Sequence, residues 1–402
     1  MPRNAALHAF ALIVCVLLPR FELAVAAGGR AVLLEGPAAL APEPGREQFV
    51  GEVSRPAEAA GVYPGMRLGE ALARCPRLAL VPPDPVGVED AWEGVLTRLE
   101  GVGAAVESGR PGIACFEARG LRRLHGGSLD GVVRATRAAL RRPARIGAGS
   151  SRFCAVVAAE QARARRAEIV EDARGLAQAP IALLRRCEAT AHLPEALERL
   201  GIATLGDLAM LPRGAVADRF GPAGLHAHDL AHGRDTALVP RVAGERLEET
   251  LELEESASGA QLGRALELLL DRLLARRERR GRTVRVAVLS AILVEGGTWR
   301  QRVVFREPLA DAVRMGLALG QRLALLPAPA DVLRLTAERL GPPHAGDRAL
   351  FDDGAVQRRA RLGEAVRQAR ATAGPEAALR VLAVDPDSRV PERRIVLTPF
   401  EP

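Results

Sequence analysis

Apolar and polar positions recur along this chain with two periods, and the switches between them outline its parts. From Phe10 to Leu18 the residues are nearly all apolar and many are branched, ending at Pro19, which predicts a buried strand. A Gly/Pro/Ala-rich passage with one short apolar run, Ala31 to Leu34, leads to about residue 48. Helical spacing follows around Pro64 to Cys75 and Val88 to Leu99, separated by the breaker-rich Val81-Pro82-Pro83-Asp84-Pro85. A strand at Ile113 to Ala118, a helix from Leu129 to Leu140, a strand at Arg145 to Ala148 and a helix from Phe153 to Arg166 complete a first α/β unit. Between Leu176 and Gly233 the strand pattern stops and short helices alternate with Gly/Pro turns. The Leu200-Gly201-Ile202 turn, followed by Thr204-Leu205-Gly206-Asp207, has the form of small helical modules that hold a nucleic-acid backbone through turn amides; a plain helical spacer fits equally.

Beyond Glu245 the order becomes strand (Glu248 to Glu254), helix (Gln261 to Arg277), strand (Thr283 to Leu293), strand (Thr298 to Phe305), helix (Leu309 to Leu325) and strand (Val332 to Leu340). This β-α-β-β-α-β order is the split, ferredoxin-like motif. Leu262, Leu266, Leu269, Leu270 and Leu273 form one stripe on its first helix, which must face the sheet. The class expected for the whole chain is mixed α+β, in two to four domains over 402 residues.

Charge adds a location. The sequence has no lysine, so all 56 basic residues are arginine, against 49 acids, for a formal +7. Arginine suits phosphate contacts, although a GC-rich coding sequence would give the same composition. Residues 264–306 hold eleven arginines and four acids, 11 − 4 = +7, the charge of the entire chain. On the strand from Trp299 to Arg306, alternation puts Arg300, Arg302 and Arg306 on one side, with Arg282 and Arg285 extending the basic region. These five are the candidate DNA-binding residues, on the expectation that few acids face them.

Five cysteines (Cys15, Cys75, Cys115, Cys154, Cys187) lie far apart without a CxxC pair, as expected of reduced core thiols in the cytoplasm. Arg3, the apolar run Phe10 to Leu18 and Ala24-Val25-Ala26 imitate a secretory signal with its cleavage site; a buried first strand explains the run equally well. No stretch reaches the ~20 apolar residues of a membrane span. Gly147-Ala148-Gly149-Ser150-Ser151 is too short for a dinucleotide loop, and a phosphate loop requires a lysine. His228 and His232, with His226 and Asp229 beside them, have a spacing that can bind zinc, but an ordinary surface helix carries the same residues and no metal is expected.

Several segments together carry a family resemblance: Phe49 to Pro76 (FVGEVSRPAEAAGVYPGMRLGEALARCP), Leu18 to Val25 (LPRFELAV), Ala144 to Ala159 (ARIGAGSSRFCAVVAA) and the ending from Ala377 to Pro402 (AALRVLAVDPDSRVPERRIVLTPFEP). They resemble Y-family translesion DNA polymerases, and nearly the whole chain is similar to the ImuB-type, polymerase-like members of bacterial mutagenesis cassettes. The resemblance implies a right hand: palm over residues 1–21 and 80–166, fingers over 22–79, helical thumb over 167–240, ferredoxin-like little finger over 245–340, and a clamp-binding linker with a partner-binding tail over 341–402.

Family members that polymerise hold two magnesium ions on an acid at the end of the first strand and an acidic pair before a later one. The matching positions here are Leu17, Gly112 and Ile113. Glu22 stands where the ribose-sensing aromatic belongs, Arg55 and Glu58 where a Tyr and an Arg grip the triphosphate, and Val156 where a lysine does so. The resemblance therefore implies no catalytic residues, no metal and no cofactor. It implies instead a hub joining damaged or primed DNA, the DNA polymerase III β sliding clamp, an error-prone C-family polymerase and a RecA-like accessory protein, with no membrane role. The clamp motif would be Asp347-Arg348-Ala349-Leu350-Phe351, with Asp in place of the usual leading Gln. In the tail, a helical stretch (Arg361 to Ala371), a short strand (Ala378 to Val384) and the Arg-rich Ser388 to Thr398 are too few to build a core.

Overall fold

The computed structural model of the protein describes residues 12–343 and 362–400, except 44, 46, 164, 165, 243, 295, 363, 364, 367, 368, 371–373 and 386. The chain divides into two compact units, Met1–Gly341 and Pro342–Pro402. The class is mixed α+β, as expected.

In the first unit, strand β1 (Ile13–Leu17) is buried along its whole length. A parallel pair follows, β2 (Ala38–Leu40) and β3 (Ala79–Val81), then β4 (Val106–Arg110), β5 (Ile113–Glu117), β6 (Arg145–Gly149) and β7 (Glu168–Val170). Five of these form one sheet in the order β4-β5-β1-β6-β7, so the apolar run read from sequence is its central strand. Alternation splits β1 between two cores. Val14 and Val16 face helices Pro85–Gly101 and Leu129–Leu140, packing with Trp92, Val95, Leu99 and Val133. Ile13, Cys15 and Leu17 face helix Arg152–Gln161 through Ala155, Val156 and Ala159.

That second helix lies on the strand backbone itself. A Cβ on Gly147 would stand 2.1 Å from the Ala159 nitrogen, and one on Gly149 would stand 2.5 Å from the Ala155 nitrogen. The Gly-Ala-Gly run is thus a packing device. The helix expected to reach Arg166 ends at Gln161, with Ala162 extended, because the chain must return to lay β7 parallel to β6. Cys15, Cys75, Cys115 and Cys154 are buried and Cys187 is half-buried, and none is in a disulfide. The Cys115 thiol across the ladder and burial push the Cys15 thiol well up.

Between β1 and β4 lie three short helices (Phe21–Ala27, Arg55–Ala59 and Leu68–Arg74) and the β2–β3 pair, with Phe21 packed into the core of the main sheet. A small core of Ala39, Val50, Val53, Ala57, Val62 and Leu78 holds the later part of this segment together. After β7, helices Ala173–Leu176, Pro194–Arg199, Leu205–Ala209 and Arg213–Ala231 and the 3-10 turn Ile181–Arg186 pack Leu176, Leu184, Leu197, Leu208 and Leu230 against Phe153 and Val157. Thr204 and Asp207 form a reciprocal capping box, and Gly201 supplies the left-handed turn before it at φ 80°.

The second sheet has four strands: β8 (Leu247–Ala257), β9 (Arg282–Leu293), β10 (Thr298–Leu309) and β11 (Ala330–Pro343), ordered β10-β9-β11-β8. Each crossover straddles one strand: β8 and β9 flank β11, and β10 and β11 flank β9. Helices Ala260–Ala275 and Ala312–Leu323 cover one face, and all five leucines of the stripe are buried beneath them. The other face meets helix Pro85–Gly101 through Thr298 and Arg300.

In the second unit, β12 (Leu379–Ala383) and β13 (Ile395–Pro399) form an antiparallel ribbon whose residues are exposed along nearly all of both strands. The helix expected over residues 361–371 lies only partly within the described residues.

Candidate functional site

The end of β1 meets two neighbours. Leu17 stands opposite Ile113 of β5 and Arg145 of β6, and the Leu18 N–H donates to the Gly112 carbonyl at 2.8 Å. The three positions that the resemblance assigns to metal are thus brought together, and none carries a side-chain oxygen. Leucine, glycine and isoleucine side chains do not fit magnesium. Gly112 is also required by the backbone: φ is 89°, and a Cβ would sit 3.2 Å from the Leu18 carbonyl and 3.3 Å from the Phe21 Cβ.

A cavity of about 440 Å³ opens over this corner, and its wall is ionic, with Arg20, Arg110, Arg145 and Arg186 facing Glu22, Glu52, Glu58 and Glu160. Arg20, itself left-handed at φ 56°, donates to the Val53 carbonyl at 2.8 Å and pairs with Glu58 at 2.5 Å. Glu160 lies 3.6 Å from Arg145 and also pairs with Arg186. Glu52 accepts the Leu23 N–H at 3.0 Å, and burial pushes its carboxyl up. Arg110 has no ion-pair partner among the described residues; burial, with Arg186 nearby, pulls it down. No group of three or more His, Cys, Asp or Glu that could hold a metal ion occurs among the described residues. Glu22 lines this cavity, whereas Val156 is buried under β1.

The histidine set is used otherwise. His228 is buried with Nε2 3.1 Å from the Leu211 carbonyl, and burial lowers its pKa. His232 Nδ1 lies 2.8 Å from the His228 carbonyl, and His226 Nε2 lies 3.5 Å from the Cys187 sulfur. The two histidines at zinc spacing, His228 and His232, each place one ring nitrogen on a main-chain oxygen.

The arginine strand β10 is an edge of the second sheet, and its pairing corrects one expectation. Acids are not scarce around it. Arg300 reaches across to helix Pro85–Gly101, pairing with Glu89 at 2.7 Å and with Asp90 at 3.1 Å. The Thr298 hydroxyl adds a 2.8 Å bond to Asp84, which caps the same helix by accepting the Gly87 N–H at 2.9 Å. Arg300 therefore fastens the second sheet to the first and is not an open phosphate contact. Arg302 pairs with Glu338 at 2.6 Å, and Arg282 pairs with Glu245. Arg285 donates to the Arg306 carbonyl, so among the five candidates only Arg285 and Arg306 lack a carboxylate partner among the described residues.

Sequence reading missed the strap of residues 234–242. Asp235 binds Arg152 at 3.0 Å and the Phe153 N–H at 3.0 Å, and the Val239 N–H donates to Glu107. Arg241 forms four bonds of 2.6 to 3.0 Å to Glu93 and Glu100 on helix Pro85–Gly101. Its hydrogen bonds hold the Glu93 carboxyl below the usual range. The available signal was the spacing of Glu89, Glu93 and Glu100, four and then seven residues apart on one helix, which predicts an acidic face that needs cations. The pentapeptide 347–351, expected to bind a clamp, lies outside the described residues.

Comparison with known proteins bears on the first of these regions. Residues 18–160 match the IMS family, that of impB, mucB and samB. The DNA polymerase IV of Caulobacter vibrioides is 24% identical over 190 residues, covering 46% of this chain and 47% of that protein, so the match spans about half of the relative's length. Among solved structures, DinB from Sulfolobus solfataricus aligns over 83% of this chain and 100% of its own at 13% identity, with a TM-score of 0.49. A chimaeric Y-family DNA polymerase aligns over 82% and 99% at 14% identity, with a TM-score of 0.47. No described helix is long and apolar enough to cross a membrane.

Proposed function

We propose that the protein is a non-catalytic, Y-family polymerase-like scaffold of translesion synthesis and damage-induced mutagenesis, similar to ImuB. It binds primed or damaged DNA and the sliding clamp in the cytoplasm, and it recruits an error-prone C-family polymerase and a RecA-like accessory protein. On this reading residues 1–21 and 80–166 are the palm, 22–79 the fingers, 167–240 the thumb and 245–340 the little finger. The observation that carries it is the corner at Leu17, Gly112 and Ile113: the positions converge, and no acid stands at any of them. The match of residues 18–160 to the IMS family supports the polymerase-like frame. The Asp347 to Phe351 segment supports the clamp contact on its sequence alone.

One observation favours a second reading, an active translesion polymerase with unorthodox ligands: four glutamates line the corner cavity. Against it, Glu58 and Glu160 are already ion-paired and Glu52 is tied to a backbone amide. Primer extension by the full chain with Mg²⁺ separates the two. The scaffold gives DNA retention without extension; template-dependent incorporation that disappears in Glu22→Gln or Glu52→Gln overturns it. Clamp pull-down tests the hub: Leu350→Ala with Phe351→Ala abolishes capture, whereas equal capture by that variant removes the motif from the account.

A further inference from the structure

A larger cavity, about 880 Å³, lies beside the corner and shares Leu18, Pro19, Arg145 and Glu160 with it. Its apolar lining comes from Leu18, Pro19, Phe21, Val25, Pro143 and Ala162. Around that lining stand Arg55, Arg142, Arg145 and Arg163, with Glu160 as the single acid. Glu160 is already neutralised by Arg145 and Arg186. The guanidinium groups of Arg55, Arg142 and Arg163 thus line one pocket with no hydrogen-bonded or ion-paired partner among the described residues. Arg142 is held in place by its position 5.5 Å above the Phe21 ring, and burial, with Arg98 nearby, pulls its pKa down.

This combination selects its occupant. Guanidinium forks match carboxylates two oxygens at a time, and an aliphatic lining of this volume receives a bulky side chain. A nucleic-acid strand would also satisfy the cations, but it requires a ring face on which a base can stack. The only aromatic ring among the described lining residues is spent: Phe21 is 2% exposed, capped by Arg142 and edge-on to Trp92 at 5.3 Å. We propose that the cavity docks a short acidic peptide of a partner protein, one bulky apolar residue entering the pocket while flanking Asp or Glu side chains meet Arg55, Arg142 and Arg163. This goes beyond the proposed function and stands whether or not the corner binds metal.

The test uses the full chain and a fluorescein-labelled peptide with the sequence Asp-Asp-Leu-Phe-Asp-Glu, followed by anisotropy. Saturable binding is expected, weakened about tenfold or more by Arg142→Ala with Arg163→Ala and unchanged by Arg277→Ala, which removes charge elsewhere. Two altered peptides keep the test valid whatever the variants do to folding: replacing the acids by Asn and Gln, or Leu-Phe by Ser-Ser, must each abolish binding. No saturable binding, or equal binding of the altered peptides, overturns the proposal. Displacement of the peptide by an oligothymidylate with the same sensitivity to Arg142→Ala assigns the cavity to nucleic acid and overturns it as well.

Discussion

Two regions of the first unit gather arginine, and they use it in opposite ways. In the corner cavity, four guanidiniums and four carboxylates share one wall and largely neutralise one another. On the second sheet, Arg300 is drawn into the acidic helix Pro85–Gly101 and Arg302 is paired with Glu338 of the sheet itself. The number of arginines says little about either place; what decides is which acid lies within reach. A cation already paired with a buried carboxylate cannot greet a phosphate without leaving that carboxylate stranded.

The sharpest way to break this contrast is Arg300→Ala. Asp90 is only 7% exposed and one of its oxygens already lacks a partner, so the variant strands a buried carboxylate. A loss of about 3 kcal/mol in denaturant unfolding is expected, mostly restored by adding Asp90→Asn. Additive losses in the double variant would deny the coupling. Next is Gly112→Ala, which places a Cβ in a left-handed residue against the Leu18 carbonyl. It should cost about 2 kcal/mol, and an unchanged midpoint would mean the turn relaxes freely.

DNA affinity sharpens the comparison further. Arg306→Ala should reduce the salt slope of log K by about 1, whereas Arg302→Ala, whose side chain pairs with Glu338, should lower it less. The reverse ranking would return the paired residue to the interface. The smallest effect belongs to the strap. Arg241 lowers the Glu93 pKa in the folded state, so its stabilisation is full above the unfolded carboxylate pKa of about 4.3 and is lost as pH falls through the lower folded value. Arg241→Gln should therefore lower stability at neutral pH by about 1 kcal/mol and flatten the acid limb of the stability curve. An unaltered acid limb would place the linkage elsewhere.

Much of the fold was legible because long periodic runs dominate it. Helix Leu129–Leu140 has the bounds expected, and the six elements of the second sheet occur in the expected order. Strands β4 and β7 escaped notice: β4 reads Val-Glu-Ser-Gly-Arg on a sheet edge, and β7 is three residues long. Neither length nor alternation marks them. At the corner, the register of β1 against β5 could be anticipated only through family resemblance, since Leu17 and Ile113 are ordinary core residues by composition. Arg300 was misread for a physical reason. Alternation tells which face a side chain takes, but not what covers that face, and its partner Asp90 lies 210 residues earlier in the chain.

The ribbon of β12 and β13 has a consequence of another kind. Val381, Leu382, Ile395 and Leu397 are each about half exposed, so greasy side chains look outward from a structure two strands thick. Such a ribbon has no inside. Cut loose and concentrated, it should be the portion of the protein that clumps first, and its edges are where the first strands would add.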